Sequence, residues 1–428
     1  MLSSIFVMSS NGLLMSTIFS IFVKAIGGTD VLLGLVSFFG GLVLLLVLIP
    51  AGFITDRVNR KYSLRFGSIF MVIGFIFFYL SDTIFAIFLS YGIINIGNGF
   101  IRPSREALIA DSVVTNRREK IYGQLFFLQM ASNGLGPLVA VFMFFIIGDN
   151  WDINTLKQVI FVGVIALIIG VIILSLMDDK YSLGKESESI NKFTSLNGST
   201  TSQTSFKRGL QVIKDNNIAL FIVFLGLVIG IGAGMTVRFF PIFFKEIYNL
   251  PPTVMNFMYF LSFVLTGIMG MVVSKSVKLI GKIESIIIVQ LVAIICLLII
   301  AMIPPLSIVV PIFLLRGAFM NSSQPLKNAM IMDLVPKKNR GIFQSLEVLS
   351  QNFFWSLSAG VGGFLLEYYD FPVLYIATAT IYVIGTLPFL LLRNKIENNH
   401  GISEYLCQNC QTKILLTDIH CPICGQKQ

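Results

Sequence analysis

The chain has 428 residues, of which 55% are hydrophobic and only 12% are charged, and its mean hydropathy is +0.84. So much apolar surface cannot fit inside one water-soluble core, so the composition excludes an ordinary soluble protein and indicates a polytopic membrane protein. The net charge of +9 does not indicate nucleic-acid binding, because the cations lie between the apolar runs rather than on one face. The first run begins almost at Met1 without a basic segment or a cleavage site, so we interpret it as a retained helix.

Twelve apolar runs are long enough to cross a bilayer as helices, since one span needs about 20 residues. They lie near residues 3–24, 31–53, 64–81, 84–107, 121–147, 155–177, 218–244, 252–274, 284–303, 306–330, 342–366 and 372–392. One set of alternate loops holds nearly all of the loop cations, whereas the other set holds only Lys24, Lys157 and Lys245. Because cytoplasmic loops are rich in lysine and arginine, we predict a multi-pass protein of the cell membrane with both termini in the cytoplasm.

The segment at residues 178–217 changes to serine, threonine, asparagine, glycine and lysine. It cannot bury enough apolar surface to fold alone, so we interpret it as a cytoplasmic linker. It separates an N-terminal bundle of six helices, residues 1–177, from a C-terminal bundle of six, residues 218–395. A separate small module occupies residues 403–428.

The two bundles repeat each other in sequence. Pro103 and Asp111 recur as Pro325 and Asp333 at an offset of 222, and two other short segments recur at an offset of 221. The predicted fold class is therefore an all-α membrane protein with twelve transmembrane helices in two six-helix pseudo-repeats. Such repeats place a substrate path at their interface, near the membrane midplane.

A short motif, here called the signature loop, joins the second and third runs as Gly52-Phe-Ile-Thr-Asp56-Arg57-Val-Asn-Arg60-Lys61. Its glycine allows another helix to approach closely, its carboxylate can lie against a helix N-terminus, and its cations favour an anionic cytoplasmic surface. The motif resembles the loop between the second and third helices of the major facilitator superfamily, with Asn59 where that family usually has a second glycine. The alternative, an ordinary cytoplasmic loop, would explain the cations but not the glycine and the aspartate.

This resemblance covers roughly residues 1–395 and implies a secondary transporter that works by rocking of its two halves. It also implies that Asp56, Arg57, Asp111 and Arg340 form one charge cluster, which stabilises the outward-facing state by joining the second and fourth helices to the start of the eleventh. In the second bundle the loop motif has lost its aspartate, so the first bundle holds the complete motif.

A second motif lies in the fifth run and consists of Gly123, Ser132, Gly136, Pro137 and Ala140. Its spacing resembles the antiporter motif of the same family, with Ser132 and Ala140 in place of glycines, and the resemblance implies export. The alternative is a seam of small residues where helices pack closely, with Pro137 weakening the helix locally.

Ionisable side chains inside apolar runs cost ~3 kcal/mol or more and mark functional sites. The candidates for cavity polarity or coupling are Arg102, Glu106, Arg238, Arg316 and Glu347. Arg102 and Glu106 are four residues apart and can pair along one helix face. Arg238 either lines the substrate path or reaches the outer headgroups. Glu347, roughly 10 Å into its helix, serves either in coupling or in a structural hydrogen bond to a neighbouring helix.

The arginine that the family's exporters usually carry on the fourth helix is replaced here by Ile93. The nearest repeat-related cation is Arg316, on the tenth helix. Four further charged residues are predicted to lie near cytoplasmic helix ends, where they snorkel or cap. They are Arg105, Asp111, Lys327 and Asp333.

The last 22 residues contain four of the five cysteines, Cys407, Cys410, Cys421 and Cys424. The two Cys-x2-Cys pairs resemble a minimal zinc ribbon. Four thiolates fill a tetrahedral site and leave no open position, so the predicted cofactor is a structural Zn²⁺. Redox pairs, which a reducing cytoplasm disfavours, and an iron site are the alternatives. His420 is expected to be a neighbour rather than a ligand.

Two functions from different classes follow from these features. The first is export of a small organic molecule through the lipid bilayer, coupled to H⁺ or another ion. The second is a sensor or scaffold that transports nothing and holds a cytosolic protein partner through the zinc ribbon. The complete signature loop favours the first, because a scaffold has no need of a conformational latch. No nucleophile–base pair, open metal site or phosphate loop is apparent in the sequence, so we do not expect an enzyme.

Overall fold

The computed structural model describes residues 2–57, 60–112, 118–175, 216–335, 340–393, 405–406 and 413–414. Eleven helical segments in these ranges are long and apolar enough to cross a membrane. Large apolar side chains cover much of the outer surface, such as Phe85 at 71% and Phe145 at 81% exposure. An apolar surface of this extent fits lipid rather than water, so the prediction of a multi-pass helical membrane protein is confirmed.

The helices of the N-terminal half are α1 (Leu2–Leu13), α2 (Phe19–Ala25), α3 (Asp30–Arg57), α4 (Arg60–Tyr79), α5 (Ile84–Ser112), α6 (Arg118–Ile147) and α7 (Ile153–Ser175). Those of the C-terminal half are α8 (Asn217–Val237), α9 (Phe240–Tyr248), α10 (Pro252–Ile280), α11 (Lys282–Ala301), α12 (Leu306–Ser322), α13 (Gln324–Leu334), α14 (Arg340–Tyr368) and α15 (Phe371–Thr386). A π-helical turn, Leu14–Ile18, joins α1 to α2, and a 3₁₀ segment, Leu387–Leu392, follows α15.

Three of the predicted spans are interrupted rather than regular helices, and they are formed by α1 with α2, α8 with α9, and α12 with α13. The second is interrupted at Arg238 and the third at Ser323. In both cases the following helix carries a proline in its first turn, Pro241 in α9 and Pro325 in α13. Proline fits a first turn but has no N–H to continue the hydrogen-bond ladder of a preceding helix.

The two halves use the same arrangement of helix neighbours, as the sequence repeat predicts. In the N-terminal half α1 packs against α6 and α7, α5 packs against α3 and α4, and α4 packs against α7. At the corresponding positions α8 packs against α14 and α15, α12 against α10 and α11, and α11 against α15. The halves meet along two related seams, α3 with α14 and α6 with α10. A substrate site is therefore expected in the space between the halves.

The eleventh predicted span, near residues 342–366, corresponds to α14, which has 29 residues and packs against α3 and α8. It is not among the eleven segments that satisfy the criteria of length and composition, because it contains polar residues such as Glu347, Gln351 and Asn352. The count of twelve membrane-spanning helices therefore stays a prediction.

In the C-terminal tail the structure describes two strands, β1 (Tyr405–Leu406) and β2 (Lys413–Ile414). They pair antiparallel, with Tyr405 opposite Ile414 and Leu406 opposite Lys413. The four tail cysteines lie outside the described residues, as does nearly all of the linker at 178–217. The pairing shows that the two flanks of the segment containing Cys407 and Cys410 lie side by side.

Candidate functional site

A cavity of about 390 Å³ lies between the two halves. Cavities of this size suit small organic ligands. Its lining consists of Asn11, Met15, Leu44, Tyr91, Ile94, Asn95, Asn98, Gly226, Ile229, Gly230, Ala233, Arg238, Met320, Asn321, Gln324, Lys327, Trp355 and Ser356. Both halves contribute, so a change in the relative position of the halves changes the cavity.

Arg238 lies at the break between α8 and α9 and lines this cavity, with only 8% of the residue exposed. Its Nη1 donates to the carbonyl oxygen of Met15 at 3.2 Å, and its Nη2 donates to the hydroxyl of Tyr91 at 2.6 Å. The guanidinium carbon lies 4.9 Å from the ring centre of Phe19 and 5.1 Å from that of Trp355. Neutral acceptors and ring faces therefore stabilise the buried charge. Through Met15 and Tyr91, Arg238 connects the C-terminal half to the N-terminal half.

Lys327 corrects one of the sequence predictions. The sequence predicts that it lies near a helix end, where its ammonium group could snorkel, but it is only 5% exposed and lines the cavity. The break at Ser323 separates α13 from α12, so the position of Lys327 does not follow from a regular helix through the whole run.

Glu347, on α14, lies behind Lys327 and interacts with it by charge. Gln324 donates to its Oε1 at 3.4 Å, and the amide of Asn328, in the orientation that satisfies its neighbours, donates to the same oxygen. Glu347 is 5% exposed and is not part of the cavity lining. It joins α14 to α13 through hydrogen bonds and stands one layer away from the cavity.

Arg316 is also buried, at 5% exposure, but it does not line the cavity. Its Nη2 donates to the hydroxyl of Tyr382 at 2.9 Å, and its guanidinium carbon lies 4.9 Å from the ring centre of Phe240. These partners belong to α15 and α9, so Arg316 connects helices within the C-terminal half.

The residues of the signature loop lie at the ends of neighbouring helices. Gly52, Asp56 and Arg57 fall in the last turns of α3, and Arg60 and Lys61 begin α4. Asp111 is in the last turn of α5, and Arg340 is the first residue of α14. The structure gives backbone positions for these residues, and their side chains lie outside the described part. The same holds for Arg102 and Glu106, in the C-terminal half of α5.

The antiporter-like motif lies on α6, which packs against α1. Ser132, Gly136, Pro137 and Ala140 are all buried there. Ser132 donates to the carbonyl oxygen of Leu128 at 2.7 Å. Gly123 begins this pattern on the same helix, but its surroundings lie outside the described part. The small residues therefore form a close-packed seam between α6 and α1.

Hydrogen bonds between the halves close the space beside the cavity toward one end of the molecule. The hydroxyl of Thr17 donates to the amide oxygen of Asn256 at 2.7 Å, and that of Ser20 donates to the carbonyl oxygen of Arg238 at 2.8 Å. This end carries the loops with few cations and is here called the cation-poor end. The opposite end, with the signature loop, is called the cation-rich end.

Two carboxylates, here called the end clasp, bind helix N-termini across the halves at the cation-poor end. Asp149, after α6, accepts hydrogen bonds from the backbone N–H and the hydroxyl of Thr253, both at 2.8 Å, in the first turn of α10. Glu367, in the last turn of α14, accepts hydrogen bonds from the N–H groups of Asp30 at 2.9 Å and Val31 at 3.4 Å, at the start of α3. Because α6 and α14, like α10 and α3, occupy repeat-related positions, the two contacts are pseudo-symmetric.

Further contacts reinforce the same end. Lys24 forms ion pairs with Asp30 at 2.9 Å and, across the halves, with Glu246 at 3.4 Å. The indole N–H of Trp151 donates to the carbonyl oxygen of Leu250 at 2.9 Å, again across the halves. In the described part of the chain, the conformation is therefore one in which the cation-poor end is closed.

The family model of the Major Facilitator Superfamily matches residues 1–320 and 308–404 of this chain. A solved structure of the nucleoside transporter NupG is similar with a TM-score of 0.68 at 13% identity, covering 91% of this chain and 97% of that one. A bacterial homologue of the iron transporter ferroportin in an inward-facing state gives 0.67 at 14%, covering 91% and 96%. A POT family transporter in complex with 5-aminolevulinic acid gives 0.69 at 16%, covering 92% and 95%. No curated protein matches the chain.

Proposed function

Because the chain belongs to the major facilitator superfamily, we propose that it is a secondary transporter that carries a small organic molecule across the bilayer by alternating access. The observation that carries this proposal is the cavity between the halves, which contains buried cations and is closed from the cation-poor end by contacts between the halves. Alternating access requires a site that opens to one side at a time through movement of one half against the other.

We propose export as the direction and H⁺ as the coupling ion. The small residues of the antiporter-like motif support export by their resemblance to the family's exporters. Glu347 supports proton coupling. It is a buried carboxyl group whose charge interacts with that of Lys327 in the cavity, and such a group can take up or release a proton when its environment changes during transport. The distribution of loop cations supports a cell-membrane protein with the cation-rich end and both termini in the cytoplasm.

The signature loop is proposed to act as a latch at the cation-rich end. Its residues lie on the ends of α3, α5 and α14, and α3 packs against both of the other helices. A charge cluster of Asp56, Arg57, Asp111 and Arg340 at these ends would stabilise the state in which the cation-rich end is closed. The end clasp stabilises the opposite state, so the two devices compete.

Transport by the purified protein in liposomes tests this function. The solutes are a radiolabelled panel of organic anions, organic cations and neutral molecules, offered with and without a pH gradient. We expect at least one solute to move in a gradient-dependent way that empty liposomes do not show. In inside-out vesicles, proton-coupled export predicts uptake driven by an acidic lumen, because protons then leave as the solute enters.

A reversible disulfide across the end clasp tests alternating access directly. Asp149→Cys together with Thr253→Cys places two thiols where the side chains now lie in hydrogen-bond contact. Oxidation should stop transport and reduction should restore it, because a covalent link between α10 and the α6–α7 loop prevents opening of the cation-poor end. Transport that continues at full rate in the oxidised protein would contradict alternating access.

The C-terminal tail favours a second candidate function, a membrane scaffold that holds a cytosolic protein partner. Its donor set of four cysteine thiolates fits Zn²⁺, which would supply structural stability rather than catalysis. The pairing of β1 with β2 brings together the two flanks of the first cysteine pair. Failure of every solute in the transport test would favour this second function.

Cys421→Ser should remove zinc from the full-length protein. We expect one Zn²⁺ per chain in the unchanged protein and almost none in the variant, because loss of one of four thiolates opens a site whose affinity depends on all of them. Metal content of the purified protein is the measurement. Cys296→Ser, which changes the buried cysteine of α11, is the control and should leave the zinc content unchanged. Full zinc content in Cys421→Ser would contradict the ribbon.

A further inference from the structure

The charges around the cavity are unequal. Among the described residues, the lining includes the cations Arg238 and Lys327 but no aspartate or glutamate. Lys327 is partly balanced by the charge of Glu347 behind it. Arg238 has no carboxylate within ion-pair distance in the described part of the chain, and its partners are a carbonyl, a hydroxyl and aromatic rings. The cavity therefore contains an excess of buried positive charge.

The guanidinium of Arg238 also has unused hydrogen-bonding capacity. Arginine carries five N–H donors, and the structure provides acceptors for one from Nη1 and one from Nη2. The Nε is buried without a partner. Leaving such donors unsatisfied is costly for a charged group, so a structure that keeps them beside a cavity is suited to a ligand that accepts several hydrogen bonds.

We infer that the cavity binds a small organic anion, with Arg238 holding its carboxylate or phosphate group and Lys327 contributing a second positive charge. Guanidinium groups match both kinds of anion through paired N–H donors. The rest of the molecule lies against the rings of Tyr91 and Trp355, and the amides of Asn98 and Asn321 face its polar groups. This inference rests on the proposed function, because it names the class of substrate for the same site.

Trp355 provides a direct measurement of binding. The chain has two tryptophans, and Trp151→Phe leaves Trp355, which lies 5.1 Å from the guanidinium carbon of Arg238, as the one that reports. Benzoate and phenyl phosphate are added to the purified detergent-solubilised protein, with benzylamine and benzyl alcohol as the cationic and neutral analogues. We expect saturable quenching by at least one anion and none by the two analogues. Comparison of benzoate with phenyl phosphate decides between a carboxylate and a phosphate ligand.

Substitution of the arginine tests the assignment to a residue. In the Trp151→Phe protein, Arg238→Gln should raise the Kd of the anion by about tenfold or more, the loss expected for a charged hydrogen bond. Arg238→Lys should give an intermediate Kd, because the charge remains and the paired donors are lost. Arg316→Gln removes another buried arginine that lies outside the cavity and should leave the Kd unchanged. Circular dichroism and gel filtration establish that each variant is folded.

Quenching by benzylamine or benzyl alcohol equal to that by the anions would overturn the inference. So would the absence of quenching by both anions across the millimolar range, or an unchanged Kd in folded Arg238→Gln. The measurement uses no gradient and no second compartment. Anion binding without transport of any solute would overturn the proposed function alone, and transport of only neutral or cationic solutes would overturn the inference alone.

Discussion

Gly136→Ala should sharply reduce the yield of folded protein, although it adds only one methyl group. The new Cβ would overlap the backbone nitrogen of Leu13 and the carbonyl oxygen of Ser9, and it would lie 2.7 Å from the carbonyl carbon of Gly12. Side chains can change rotamer to relieve such an overlap, but these are backbone atoms of α1. The helices α1 and α6 must therefore move apart, at a cost of about 3 kcal/mol or more, at the upper end of overpacking effects.

Gly226→Ala is the matched control for this change. Gly226 lies within α8, and a Cβ added there meets no atom within 4 Å. Alanine is favoured over glycine in a helix by roughly 0.8–1.0 kcal/mol, so this variant should keep or slightly raise the apparent Tm. The measurement is thermal unfolding in detergent, followed by fluorescence-detected gel filtration. An equal loss of monodisperse protein in both variants would show that glycine itself, and not the α1–α6 contact, is required.

The architecture was predictable because its signals are long and repetitive. Apolar runs of about 20 residues identify membrane helices whatever their neighbours are, and the repeat between the halves follows from pairs such as Pro103 and Pro325. The interruptions of the helices were not predicted. An X-Pro pair disfavours a helix locally, but the sequence does not show whether the surrounding helices accommodate a regular helix or an interruption such as the one at Ser323.

The site was predictable only in part, because a burial pattern depends on packing between distant segments. The sequence selected Arg238 as an ionisable group in a span, but left open whether it lined the path. Its position beside Tyr91 and Trp355 requires contacts over more than a hundred residues of chain. Distance along the run predicts a helix end for Lys327, which instead lines the cavity, and nothing in the sequence shows that Arg316 lies outside it. Nothing in the sequence distinguished the aromatic residues of the cavity from the others, since the chain has many aromatic residues.

Asp149→Ala together with Glu367→Ala should shift the protein toward a conformation that is open at the cation-poor end. Each carboxylate accepts hydrogen bonds from a helix N-terminus of the opposite half, an interaction worth about 0.3–2 kcal/mol. Losing both removes on the order of 1–3 kcal/mol from the closed state. Since ~1.4 kcal/mol changes a population ratio tenfold, the ratio of the open to the closed population should rise by about tenfold. The single variants should each give a smaller shift.

Cysteine labelling in the cavity measures this shift. Ser356 lines the cavity and is 8% exposed, so Ser356→Cys should react slowly with a membrane-impermeant maleimide added at the cation-poor side. In the clasp double variant, the rate should rise by about tenfold, in proportion to the open population. Asp82→Ala is the control, because its carboxylate pairs with Lys157 at the same end but within one half. That variant loses an ion pair without releasing one half from the other, so its labelling rate should stay unchanged. A rise of the same size in Asp82→Ala, or no rise in the clasp variant, would show that these two carboxylates do not hold the halves together.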